Sequence, residues 1–341
     1  MKFGSVHLME GPFTKSEQQV YDEHIEQIKT SDAIGLDYVW LTEHHFSSVP
    51  YVPDVDGEYC ICASPFAMAC AVAMITKNVR IGSAIKILAM DHPLRTAEDI
   101  AMADLLSHGR IDVGVGLGYR KYEFDGLGID IEEKLERHTE ALDIILKAWT
   151  EDEFSYEGKY WQFPNLRLVP KTVQKPHPPV WLASRYTPRD VVDFALNGGH
   201  KLLSAWQAVD ELRASYDMVL EAQAEAGITE RMDFGCIRHV YVAESDAEAD
   251  KVAPDAIEYY LNSTKQFRPV GDHERGQMIF GGPETCVQKI AELQDAAQIN
   301  TLLSWMNFGD LKQETILRSM KLFAEEVVPA FREDAAEKAA E

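Results

Sequence analysis

No apolar stretch in the sequence is long enough to cross a bilayer: the longest, residues 66–75, falls well short of the roughly 20 residues a spanning helix needs. Basic charge is scarce. Thirty-three Lys and Arg face 56 Asp and Glu, a net charge of −23 that repels phosphate backbones and anionic lipid, so neither nucleic acid nor a membrane is expected as a partner. The five cysteines, Cys60, Cys62, Cys70, Cys236 and Cys286, are odd in number and lack both the CxxC pair and zinc-finger spacing, which points to reduced, buried thiols. Low-complexity tracts are missing, and so is the apolar core of a signal peptide in the first ten residues. A globular, cytoplasmic protein is therefore expected.

What is present is a rhythm. Short β-branched apolar runs at 3–8, 38–41, 81–88, 111–116, 180–182, 201–204, 234–242 and 301–304 alternate with amphipathic stretches, the pattern of repeated βα units and a parallel sheet. Helices are predicted over 16–34, 65–75, 93–107, 131–149, 188–196, 208–226, 246–261, 284–297 and 313–328, several opening on Ser or Pro. Eight strands without a chain-reversal signal predict an α/β fold closed as a (β/α)8 TIM barrel over residues 1–329, rather than a doubly wound open sheet. Loop insertions interrupt it at 46–63, at a hairpin over 154–163 and at 263–282, and residues 330–341 read as an acidic C-terminal tail.

Three segments carry residues suited to chemistry. Glu43-His44-His45-Phe46 follows the second strand, at the barrel end where reacting groups converge. Adjacent residues there face opposite ways, so the two histidines are poorly placed to ligate one metal, and neither HExxH nor HxxEH occurs in the sequence; metal binding is not expected. Gly114-Val115-Gly116-Leu117-Gly118-Tyr119-Arg120 follows the fourth strand. It has Tyr119 where a dinucleotide fingerprint needs its third glycine, so its glycines either admit a ligand close to backbone or pack a narrow strand end. Ser184-Arg185-Tyr186-Thr187-Pro188 leads from the fifth strand into a helix start, where free N–H groups favour an anion; a helix cap by Thr187 explains it equally.

Together, Met1-Lys2-Phe3-Gly4, Leu41-Thr42-Glu43-His44-His45-Phe46, Asp91-His92-Pro93-Leu94, Gly109-Arg110-Ile111-Asp112, Tyr122-Glu123-Phe124 and Phe323-Ala324-Glu325-Glu326-Val327-Val328-Pro329 resemble the bacterial-luciferase-like flavin-dependent monooxygenases, in order along the whole chain. The resemblance implies a barrel that takes up reduced FMN from a separate flavin reductase, reacts it with dioxygen and oxygenates a small organic substrate, commonly as a homodimer. It makes His44 the catalytic residue and places Glu43 along the flavin ring. It puts a cis Ala84–Ile85 peptide under that ring, counts Gly116 among the cofactor-binding residues, and offers phosphate contacts from Arg120, Ser184, Arg185, Thr187 and the backbone at Gly118 and Tyr119. The sequence departs from luciferase at Leu117, where an arginine would meet the phosphate, which shifts that task to Arg185 and Arg120. Histidine suits the role because its ordinary pKa of about 6.5 lets it exchange a proton near neutral pH. Phe46, Tyr51 and Tyr59 are candidates to wall the substrate space, and 263–282 is a candidate lid. The alternatives are a deazaflavin-dependent oxidoreductase and a non-catalytic flavin-binding protein of the same fold.

Overall fold

The computed structural model describes residues 1–332 apart from 13, 47–57, 61, 185–188, 206 and 265–276. Eight parallel strands, β1 (Lys2–His7), β2 (Tyr38–Leu41), β3 (Arg80–Ser83), β4 (Ile111–Gly116), β5 (Val180–Ser184), β6 (Lys201–Ala205), β7 (Phe234–Val242) and β8 (Thr301–Trp305), pair in sequence order. The ring closes between β8 and β1, where Phe3 stands opposite Leu302, and the β4–β5 pairing is the parallel match of Val180 with Val113. Every strand is covered by helices outside and by its neighbours' side chains inside. That is why β7 is buried at all nine positions, its Arg238 and His239 included, instead of alternating between buried and exposed.

The helices α1 (Glu17–Ala33), α2 (Pro65–Ile75), α3 (Pro93–Leu106), α4 (Lys121–Gly126), α5 (Lys134–Thr150), α6 (Arg189–Gly198), α7 (Val209–Ala226), α8 (Asp246–Thr264), α9 (Pro283–Ala297) and α10 (Gln313–Leu322) form the outer layer. Nine answer to the nine expected stretches; α4 was not anticipated. Among the described residues no helix is long and apolar enough to cross a membrane. The strand expected over 81–88 is broken: β3 ends at Ser83, the Ala84–Ile85 peptide is cis, and Lys86–Ile87 pairs again with β4. Of the insertions, Glu58–Cys60 pairs antiparallel with Glu10–Pro12, and Phe154–Glu157 pairs with Gln162–Leu166 as the hairpin. Most of 263–282 lies outside the described residues. The chain's last helical turns reach residue 332, with Phe331 packed 5.7 Å from Phe3, and 333–341 lie outside the description.

The lumen is solid. Trp40 of β2 and Trp181 of β5 meet edge to face at 5.5 Å across it. Space for Trp40 exists only because two neighbours lack side chains: a Cβ on Gly82 would sit 2.5 Å from its ring and one on Gly114 2.7 Å, besides 1.9 Å from the Ser83 carbonyl oxygen. Packing therefore explains Gly114. Below this layer, Asp112 accepts from Trp181 Nε1 at 2.9 Å and pairs with Arg80 at 2.5 Å, which closes the N-terminal end with satisfied polar groups.

Candidate active site

The C-terminal end of the barrel is built differently. Two positions beyond the tryptophan layer, on the same strand faces, stand Thr42, Ala84, Gly116, Ala183 and Ala205. These small side chains leave a recess above the indoles, and the Thr42 hydroxyl in it is buried without a hydrogen-bond partner. A Cβ on Gly116 would lie 2.1 Å from the Ile85 side chain, so this glycine lets the residue after the cis peptide pack against β4.

Glu43, His44 and His45 leave β2 at the rim. His44 is half-buried, with its backbone N–H donated to the Cys62 carbonyl and its Nδ1 3.1 Å from Glu123 Oε1; the same oxygen accepts the His45 N–H at 3.0 Å. Glu123 comes from α4, and its carboxylate is 1 % exposed. Burial works against its charge, yet the bonds from His44 and His45 and the nearby Arg120 hold its pKa below the ordinary glutamate value. With Nδ1–H given to a carboxylate, His44 keeps the lone pair of Nε2 for proton exchange. Burial lowers the pKa of His44, Arg120 lowers it further, and Glu123 opposes both.

His45 turns the other way, its Nε2 2.9 Å from Glu43 Oε1. Glu43 was expected to line the flavin ring; its side chain is fully buried at the rim. It accepts Lys86 Nζ at 2.6 Å and the Ile87 N–H at 2.8 Å, and Lys86 reaches on to Asp91. Glu43 thus ties the segment after the cis peptide to the histidine pair. Burial opposes the charge of Lys86, but Glu43 and Asp91 outweigh it and raise the pKa of the ammonium.

Of the sequence-derived residues, Glu43, His44, Ala84, Ile85, Gly116, Gly118, Tyr119 and Arg120 converge on this rim. The Tyr119 ring stands edge-on to His44 at 6.3 Å, and Gly118 takes a φ of +72° beneath Ile87. Arg120 is 7 % exposed and donates to the hydroxyls of Tyr119 and Tyr122, both at 3.2 Å. Ser184 closes β5, while Arg185 and Thr187 lie outside the described residues, as does Tyr51. Glu123, Lys86 and Asp91 escaped the sequence reading as functional residues. The one local hint was Lys86, a lone charge inside an apolar strand run.

Residues 1–298 match the luciferase-like monooxygenase family. The chain belongs to that family. Among luciferase-like relatives, the oxygenase component of a flavin-dependent trigonelline monooxygenase from Acinetobacter baylyi is 26% identical over 357 residues, covering 96% of this chain and 94% of that one. A monooxygenase of Streptomyces bottropensis superposes with a TM-score of 0.86 at 25% identity, over 97% of this chain and all of the other. The luciferase-like fold is wider than oxygenation. An F420-dependent secondary alcohol dehydrogenase, crystallised with an F420–acetone adduct, also matches, with a TM-score of 0.73 at 19% identity over 96% of this chain and 98% of that one.

Proposed function

We propose that the protein is the oxygenase component of a two-component, FMN-dependent monooxygenase acting on a small organic substrate in the cytoplasm, with reduced flavin delivered by a separate reductase. The observation that carries this reading is His44 at the barrel mouth, held at Nδ1 by Glu123 beside a recess of small side chains. The recess suits a planar ring, and the unpartnered Thr42 hydroxyl offers that ring a hydrogen bond. Arg185, with Ser184 and Thr187 at the helix start, would hold the phosphate. FMN, when bound and reduced, supplies the electrons that activate dioxygen.

The chain's own residues then have separate tasks. Trp40 and Trp181 floor the site, and Ala84, Ile85 and Gly116 shape the wall against which the ring lies. Tyr119 and the loop after β2, with Phe46, Tyr51 and Tyr59, keep water from the reacting oxygen. His44 Nε2 gives or takes the proton there, while Glu123 keeps the imidazole turned toward the mouth.

The partner reductase is inferred because no nicotinamide fingerprint occurs in the sequence. A second copy of the chain is the other proposed partner. α2 carries no charged residue, and Met74 (70 % exposed), Ile75, Met102, Leu105 and Leu106 of α2 and α3 leave an uncharged face on a strongly acidic molecule. NADH and FMN with the purified protein alone should consume little oxygen, and an added flavin reductase should start consumption coupled to product. Rapid NADH oxidation without the reductase overturns the two-component reading. Tight binding of a deazaflavin together with indifference to reduced FMN overturns the oxygenase reading itself.

A further inference from the structure

Arg120 is the one cation buried beside the His44–Glu123 pair among the described residues, and its position says more than its charge. Its side chain is 5 % exposed, its Nη1 lies 3.9 Å from Glu123 Oε1, and its guanidinium carbon sits 5.5 Å from the centre of the Tyr119 ring. Nε and Nη1 donate to the hydroxyls of Tyr119 and Tyr122. A phosphate drawn to this guanidinium would share the cation with a buried carboxylate, a like-charge encounter in a poorly solvated place. Sequence reasoning offered Arg120 as a phosphate ligand. Its described contacts are with Tyr119, Tyr122 and Glu123.

We propose that Arg120 is a positioning residue for His44: it keeps the Glu123 carboxylate ionised as the acceptor for His44 Nδ1–H, and so fixes Nε2 as the nitrogen that works at the mouth. The inference rests on the reading of His44 as the proton-handling group. Among the described residues, the groups acting on that imidazole are Glu123 from α4, Arg120 and Tyr119 from the segment before it, and Glu43 from its own segment. Of these, Arg120 lowers the proton affinity of His44 and Glu123 raises it, so the two can be separated by substitution.

The test uses ligand-free protein with ring-labelled histidine, His44 being assigned by the signal lost in His44→Gln. Wild type should show His44 as the Nδ1–H tautomer. Arg120→Met should move the His44 titration to higher pH, and Arg120→Lys, which keeps the charge, should return it toward wild type. The preference for FMN over riboflavin should change by less than about twofold in either variant, where a lost phosphate contact would cost FMN about tenfold or more. Should Arg120→Met fail to fold, Glu123→Gln reads the same linkage with opposite sign, moving the titration to lower pH. A His44 titration unmoved in folded variants, or a selective tenfold loss of FMN in Arg120→Lys, overturns the proposal. These readings need no turnover, so they fail independently of the oxygenase reading, which falls only if wild type with reduced FMN and dioxygen yields no oxygenated product.

Discussion

Two histidine pairs lie near the ends of neighbouring strands, and their surroundings are opposite. His44 and His45 follow β2 at the rim, partly exposed, each on its own carboxylate. His7 ends β1 and meets His24 of α1, Nδ1 to Nδ1 at 3.3 Å, with both rings 2 % exposed. Among the described residues this second pair has no carboxylate in hydrogen-bond reach: Ser5 Oγ meets His7 Nε2 at 2.9 Å, and the Glu10 carbonyl and Asn307 meet His24 Nε2 at 3.0 and 3.1 Å. Burial drives both pKa values down, His24 to about 4, so the pair serves as a neutral hydrogen-bonded strut. What separates the imidazole proposed to work from the buried one is the carboxylate behind it and its partial exposure, not the residue type.

The sharpest break of this contrast is His44→Ala. Flavin should still bind, since the recess and phosphate contacts remain, while product per reductant consumed should fall about 10²–10⁴-fold as hydrogen peroxide release rises, both measurable in a coupled assay. Wild-type coupling in this variant would remove the distinction between the pairs.

The buried pair should announce itself in acid. A neutral imidazole whose folded pKa is depressed costs nothing above its unfolded value of about 6.5, and stability is lost as pH falls toward the folded value. For His24 that window runs down to about pH 4 and is worth on the order of 3 kcal/mol. Urea unfolding of wild type should weaken across it, and His24→Gln should show a shallower slope. Parallel slopes for the two proteins would mean that other groups carry the acid sensitivity.

A smaller effect is expected at the phosphate. Arg185→Ala should weaken FMN about tenfold more than riboflavin, because a charge-assisted hydrogen bond is worth roughly 1.5–3 kcal/mol, and equal weakening of both flavins by titration would discard the assignment. Smallest is His45→Ala. Glu43 keeps Lys86 and the Ile87 N–H, so thermal unfolding should report a loss of about 1 kcal/mol with coupling nearly intact. Abolished turnover in a stable, flavin-binding His45→Ala protein would exchange the roles of the two rim histidines.

The strands were legible in the sequence because burial on both faces favours apolar runs such as Tyr38–Leu41, and closure followed from counting eight of them. The helix α4 was not. Lys121–Gly126 is six residues long with no apolar period to read, so the element that delivers Glu123 to His44 left no local trace beyond the family-like Tyr122-Glu123-Phe124. The Glu43–Lys86–Asp91 chain was equally hidden, since positions 43 and 86 meet only through the pairing of β2 with β3. Adjacency told the two histidines apart by direction, but their partners are tertiary facts. Gly114 and Gly116 show the converse case, a motif visible at once whose meaning depended on what a Cβ would strike.

The filled lumen has one more consequence. With Trp40 wedged over two missing side chains, a bound molecule cannot extend down the barrel axis, and any increase in its length must run sideways beneath the loops. Selectivity is thereby separated from the scaffold: loop exchange can retune what is accepted without disturbing the core, whereas a deeper site would demand coordinated changes on β2, β3 and β4 at once.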